Sequence, residues 1–251
     1  MCRIAAITFD LDGTLLDSAH GVMVALNIAL ADEGLPQFDG PTVRGWIGDG
    51  PDATIRQALK ACGNPAVDPL RMRRRFDAAT LASPRDQGRA YEGIPELLRK
   101  LAGRYPMAVV TNKPTPLARA VLDAAGLLGW FAAVHGADTP EQRKPAPWLL
   151  QHAAARLGLT PPSLLMVGDG DADLKAAAAA GCRAAWVSWG YGAAPADPTV
   201  GRLDAPLQLL AHLQTIHQEL QGDSSCPPEA DRPSPSSSSR SAVATLRQPA
   251  T

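Results

Sequence analysis

The chain has 251 residues, with 24 lysines and arginines against 25 aspartates and glutamates, for a formal net charge of -1. That length allows one large domain or two small ones around a sizeable core. The balanced charge argues against a dedicated nucleic-acid or polyanion binder, and no apolar run is long enough to span a bilayer.

The N-terminus lacks the basic, apolar and small-residue segments of a secretion signal, so a soluble cytoplasmic protein is expected. Cys2, Cys62, Cys182 and Cys226 are scattered, with no CxxC pair, and read as reduced thiols. Residues 4–9 form a nearly continuous apolar run, the pattern of a strand buried on both faces. The run ends in FDLDGTLLDS, with Asp10 and Asp12 one residue apart. Two carboxylates so close repel, and one is costly to ionise unless a cation lies between them or they share a proton. The Asp-Gly pair by itself is also a hairpin signal.

Residues 18–34 read as a helix with Ser18 as its N-cap and Gly34 as its stop. A second helix is expected over 51–62, opening on Pro51 and ending before Gly63. A third, over 68–82, carries Arg71, Arg73, Arg74 and Arg75 on a solvated face. No strand is expected between 18 and 90, so this stretch reads as a separate helical module.

From about residue 92 the pattern alternates. EGIPELLRKLAGR predicts a helix, PMAVVTN a buried strand, TPLARAVLDAAG a helix and FAAVHGAD a short strand. APWLLQHAAARLG, SLLMVGDGD, ADLKAAAAAG and CRAAWVSW continue as helix, strand, helix, strand, and PLQLLAHLQTIHQEL closes as an amphipathic helix. Such alternation implies βαβ units and an α/β, Rossmann-like core: a mainly parallel sheet flanked by helices, joined by the N-terminal strand. The expected division is a core of 1–16 and 88–221, a helical insert over 17–87, and a Pro/Ser-rich tail over 222–251. The tail cannot bury enough apolar area to offset ordering entropy, and its removal after Leu220 should leave turnover unchanged.

Ligands of an open parallel sheet bind beyond the carboxyl ends of its strands. Those ends deliver Asp10 and Asp12, then Thr111, Asn112 and Lys113, then Asp169, Asp171 and Asp173, with Lys144 before a helix opening on Pro145. Hairpin turns do not explain that convergence. The group suits a phosphate and a hard divalent cation such as Mg²⁺, which takes carboxylate, water and phosphate oxygens. A free aspartate can then attack phosphorus, while a lysine and a hydroxyl bind the remaining oxygens. Lys113 reads either as part of this group or as a solvated loop lysine. An EF-hand at Asp169, Asp171 and Asp173 fails, because its sixth and twelfth positions hold Leu174 and Ala180. WGYGAAP lacks the glycine spacing of a dinucleotide site and follows the last strand.

FDLDGTLLDS, VVTNKP, QRKPAP and VGDGDAD, in this order at strand ends, resemble the four signatures of the haloacid dehalogenase superfamily. The resemblance spans about residues 3–220, and the helical insert looks like that family's small all-helical cap. VRGWIGDG, VVTNKPTPLAR, QRKPAP and the Gly190-Tyr191-Gly192 stretch are similar to bacterial phosphoglycolate phosphatases in particular. The resemblance implies Asp10 as nucleophile and Asp12 as general acid and base. It implies a Mg²⁺ ion on Asp10, the Asp12 backbone carbonyl and Asp169, and a phosphoryl group held by Thr111, the Asn112 N–H and Lys144. Asp173 would orient Lys144 or a metal-bound water, while Asp171 would be solvated or a helix cap. Arg44 is a candidate for a substrate carboxylate, with a surface charge as its other reading. Trp46 and Ile47 read as packing residues. The dehalogenases that name the superfamily lack an acid at the Asp12 position, and an acid there fits protonation of an ester leaving group.

The implied partner is a small phosphorylated metabolite, with 2-phosphoglycolate preferred. A sugar phosphate, a nucleotide, pyrophosphate or a phosphomutase reaction would use the same core residues. A non-catalytic binding module is the reading from another class, and it gives no physical need for Asp10, Asp12, Thr111, Lys144 and Asp169 together.

Overall fold

The computed structural model describes residues 3–222. Met1, Cys2 and the expected tail beyond Gly222, with Cys226, lie outside the described residues. Gly222 itself ends the closing helix.

The first strand, β1 (Ala6–Phe9), is followed by β2 (Leu16–Asp17) and four helices: α1 (Ala19–Ala31), α2 (Gly40–Arg44), α3 (Pro51–Ala61) and α4 (Pro69–Ala82). Then come β3 (Arg89–Ala90), α5 (Ile94–Leu101), β4 (Met107–Thr111), α6 (Thr115–Ala124), β5 (Ala133–Gly136) and α7 (Trp148–Arg156). The chain closes with β6 (Leu164–Gly168), α8 (Asp171–Ala180), β7 (Arg183–Val187), β8 (Gly201–Leu203) and α9 (Gln208–Gly222).

Six strands form one sheet in the order β5-β4-β1-β6-β7-β8, and every neighbouring pair in it is parallel. The apolar runs explain why it is buried on both faces. Ile7 and Phe9 of β1 join a cluster with Leu97, Val121 and Leu213 of α5, α6 and α9. Ala6 faces the opposite way, toward Leu149 and Ala153 of α7 and Ala176 and Ala177 of α8. The alanine run of α8 presents no bulk, so that helix lies close on β6.

The helices between β2 and β3 gather around a third cluster that includes Val22, Leu26, Ile55, Met72 and Phe76. Local signals set their starts. Asp68 accepts from the Leu70 N–H at 2.9 Å, and Pro69 occupies the first turn of α4. Asp39 does the same for Thr42 at 3.0 Å at the head of α2, a short helix the sequence pattern did not announce.

Two expectations change. Arg89–Ala90 is a strand, pairing antiparallel with Leu16–Asp17. It is too short to show a period of two, and it ties together the two chain crossings between the helical unit and the sheet. Ser18 heads α1 without capping it through its side chain. Among the described residues no helix is long and apolar enough to cross a membrane.

Candidate active site

Strand register brings the acids together. Phe9 lies opposite Val109 of β4 and Val167 of β6, and the Asp10 N–H donates to the Val167 carbonyl at 2.9 Å. Asp10, Thr111 and Asp169 therefore emerge within two residues of one line across the sheet, at its carboxyl edge.

The repulsion between Asp10 and Asp12 is relieved by two separate ammonium groups. Lys144 Nζ donates to Asp10 Oδ1 at 2.8 Å, to Asp173 Oδ1 at 2.5 Å and to the Val110 carbonyl at 2.9 Å. Lys113 Nζ donates to both oxygens of Asp12, at 2.9 and 2.8 Å. Ser18 Oγ adds a third bond to Asp12, at 2.6 Å. Lys113 is thus buried in the site, and the solvated-loop reading of it does not hold.

Asp169 sits in a tight cradle. Its carboxylate accepts from Thr14 Oγ1 at 3.0 Å and from the Tyr191 and Gly192 N–H groups at 2.7 and 3.2 Å. A Cβ added to Gly13 would lie 2.4 Å from Asp169 Oδ2, and one on Gly190 2.2 Å from the Asp169 Cβ. Only glycine permits that approach, and Gly13 also has φ +86°. Asp173, in the first turn of α8, reaches back to the Gly170 N–H at 3.0 Å with the oxygen that Lys144 leaves free. Asp171 points outward and pairs with Lys175 at 2.6 Å on the helix surface.

Burial, opposed by Lys144 and aided by Asp173, pushes the Asp10 carboxyl up to about 6. Burial likewise raises Asp173 and, with Asp10 beside it, Asp169. Burial opposes the Lys144 charge, but Asp10 and Asp173 outweigh it and hold its pKa above the usual lysine range. Each of Asp10, Asp169 and Asp173 offers one oxygen within 4.8 Å of the others. Three buried carboxylates against one ammonium leave an excess of negative charge, and hard oxygen donors so clustered fit a divalent cation. Asp173 therefore lies with Asp10 and Asp169, while the Asp12 carboxylate turns to Lys113.

Asp10 forms part of two adjoining clefts. One holds Asp169 and Asp173; the other holds Asp12, Thr111, Asn112 and Lys113 under Ile47, Gly48 and Phe76 of the helical unit. Thr111 is buried at the end of β4, and its Oγ1 accepts from the Lys113 N–H at 3.2 Å. The Asn112 side chain bridges loops. It donates to the Gly48 carbonyl at 3.0 Å and to that of Lys144 at 3.1 Å, and accepts from the Lys144 N–H at 2.8 Å. Arg44 is not brought to this cavity. Its Nη2 donates to the Gly190 carbonyl at 2.9 Å, and its guanidinium lies over the Tyr191 ring. Ile47 lines both clefts, and Trp46 packs edge-on to Phe38 in the helical unit.

Sequence reasoning gave no site role to Thr14, Ser18 or Tyr191. The Tyr191 hydroxyl accepts from the Ser18 and Ala19 N–H groups at 2.6 and 3.0 Å, and donates to Asp17 Oδ1 at 2.8 Å. A phenol from the far end of the chain thereby caps α1, which no local pattern announces. Tyr191→Phe should lower stability by about 1–2 kcal/mol, because two helix-start amides lose their acceptor. Urea unfolding would measure this, and an unchanged midpoint would remove the capping role.

The family model for haloacid dehalogenase-like hydrolases matches residues 4–181. A phosphoglycolate phosphatase of Pectobacterium atrosepticum is 36% identical over 231 residues, covering 87% of this chain and 97% of that protein. The crystal structure of a predicted phosphoglycolate phosphatase from Haemophilus somnus superposes with a TM-score of 0.76 at 31% identity, covering 84% of this chain and 99% of that one. A structure of Mycobacterium tuberculosis protein tyrosine kinase A gives a TM-score of 0.69 at 30% identity, over 84% of this chain and 98% of that one. On the family model and the length of these matches, the chain belongs to the haloacid dehalogenase-like hydrolases.

Proposed function

We propose that this phosphoric monoester hydrolase acts on 2-phosphoglycolate, releasing glycolate and phosphate through an aspartyl-phosphate on Asp10, with Mg²⁺ as its metal. The observation that carries the chemistry is the Asp10–Asp12 pair at one strand end, each acid held by its own ammonium beside a cavity. The substrate is carried by the relatives that share its length and fold.

Asp10 attacks phosphorus, while Lys144, Thr111 and the Asn112 N–H hold the phosphoryl oxygens. Asp12 gives a proton to the departing alkoxide, then takes one from the water that hydrolyses the acyl phosphate. Asp10 and Asp169, with Asp173 beside them and the Asp12 carbonyl, would hold Mg²⁺, which supplies charge neutralisation at the phosphoryl group. Asp173 keeps Lys144 in place.

The helical unit over 17–87 acts as the cap. It meets the core through Asn112 on Gly48 and through an Arg143–Asp52 ion pair next to Lys144. Part of the active-site cleft lies beneath it, under Ile47, Gly48 and Phe76. Lifting of the cap would admit substrate, and its return would exclude water from the reaction.

Phosphate release from a panel of monoesters tests the reading. A preference for 2-phosphoglycolate, lost in EDTA, is the expected result. Metal-dependent release favouring sugar phosphates or nucleotides would overturn the substrate and leave the mechanism. Phosphorylated product without free phosphate would indicate a mutase.

A further inference from the structure

We propose that Lys113 is the specificity residue of this enzyme: its ammonium receives a second anionic group on the leaving side of the substrate. The inference deepens the reading above, since 2-phosphoglycolate carries a carboxylate one methylene from the ester oxygen.

Two lysines reach the reaction centre, and their hydrogen-bond inventories differ. Lys144 uses all three N–H donors, on Asp10, Asp173 and the Val110 carbonyl. It is committed to the phosphoryl side. Lys113 gives its donors to one carboxylate, that of Asp12, and has no third acceptor among the described residues. Its side chain is 7% exposed, and it forms part of the cavity wall.

Apart from Lys113, that wall offers a second anion no positive charge. The helical unit contributes Val22, Ile47, Pro51 and Phe76, with no charged side chain among its lining residues. The remaining ionisable groups of the wall are Asp10 and Asp12, which repel a second anion. Arg44, the arginine of the helical unit that the sequence put forward for a substrate carboxylate, is held outside against Gly190 and Tyr191. A carboxylate desolvated here without a cation would be strongly disfavoured, whereas an uncharged leaving group would lose little. Lys113 is therefore the one cationic group of the wall that can make the difference between them, and discrimination by a site built to pair a charge is large. It lies two residues beyond Thr111, the last residue of β4 and a proposed phosphoryl ligand.

The test compares kcat/KM for 2-phosphoglycolate, 3-phosphoglycerate and ethyl phosphate in the wild type, Lys113→Met and Lys113→Arg, with folding checked by circular dichroism. Lys113→Met should lose about 100-fold on the preferred anionic ester and about 10-fold or less on ethyl phosphate, the larger loss appearing in KM. Lys113→Arg should keep the preference for the anionic ester. Equal losses on charged and uncharged esters would show that Lys113 acts only by holding Asp12, and would overturn the proposal. A wild type that prefers 3-phosphoglycerate removes the 2-phosphoglycolate reading, and the same collapse on that ester would still support Lys113. A wild type that prefers ethyl phosphate to both anionic esters overturns both.

Discussion

Asp10→Asn is expected to reduce turnover by at least about 1,000-fold without unfolding the protein. The substitution keeps the shape of the side chain and an oxygen for Lys144, but removes the carboxylate proposed as the nucleophile. It also removes one negative charge from a buried group in which three carboxylates face one ammonium. Thermal stability should therefore be unchanged or slightly higher. Single-turnover phosphate release measures the first effect and a melting curve the second. Wild-type turnover by a folded Asp10→Asn protein would remove Asp10 as nucleophile.

Lys144→Met should have the opposite balance, losing both activity and fold stability. Lys144 is 1% exposed, and it is the ammonium that pairs with both Asp10 and Asp173 beside Asp169. Removing one partner of such a buried set typically costs about 3–5 kcal/mol. Urea unfolding in EDTA should show that loss, and added Mg²⁺ should recover part of it by supplying positive charge to the same oxygens. An unfolding midpoint equal to the wild type's would mean that the carboxylates do not depend on Lys144. Turnover should also fall by about 1,000-fold, since Lys144 contacts Asp10 and is proposed to hold the phosphoryl group.

Much of the fold was legible because its signals are local. Apolar runs such as Ala6–Phe9 and Leu164–Gly168 announce strands buried on both faces, and Pro51, Pro69 and Gly181 mark helix ends. The acids were legible for a different reason. Asp10 and Asp169 each follow a strand directly, so the register of a parallel sheet is enough to align them. What stayed hidden depends on partners far apart in the chain. Whether Lys113 is a loop lysine or the partner of Asp12 is decided by a contact across 101 positions, and Tyr191 reaches α1 across more than 170. The Leu16–Asp17 and Arg89–Ala90 ribbon is two residues wide, below the length at which alternation carries information. The place of Arg44 was hidden for a related reason: its contacts with Gly190 and Tyr191 lie nearly 150 positions away in the chain.

The glycine collar around Asp169 fixes the reach of that side chain. Gly13, Gly190 and Gly192 each come so near that an added Cβ would lie within 2.4 Å of an Asp169 atom. Glutamate would need room for one more methylene in a shell already closed to methyl groups, and its carboxylate would have to leave the Thr14, Tyr191 and Gly192 donors. The two acids are therefore not interchangeable here, although their charge and chemistry are the same. A longer acid at this position would need the two loops around Asp169 to be rebuilt first.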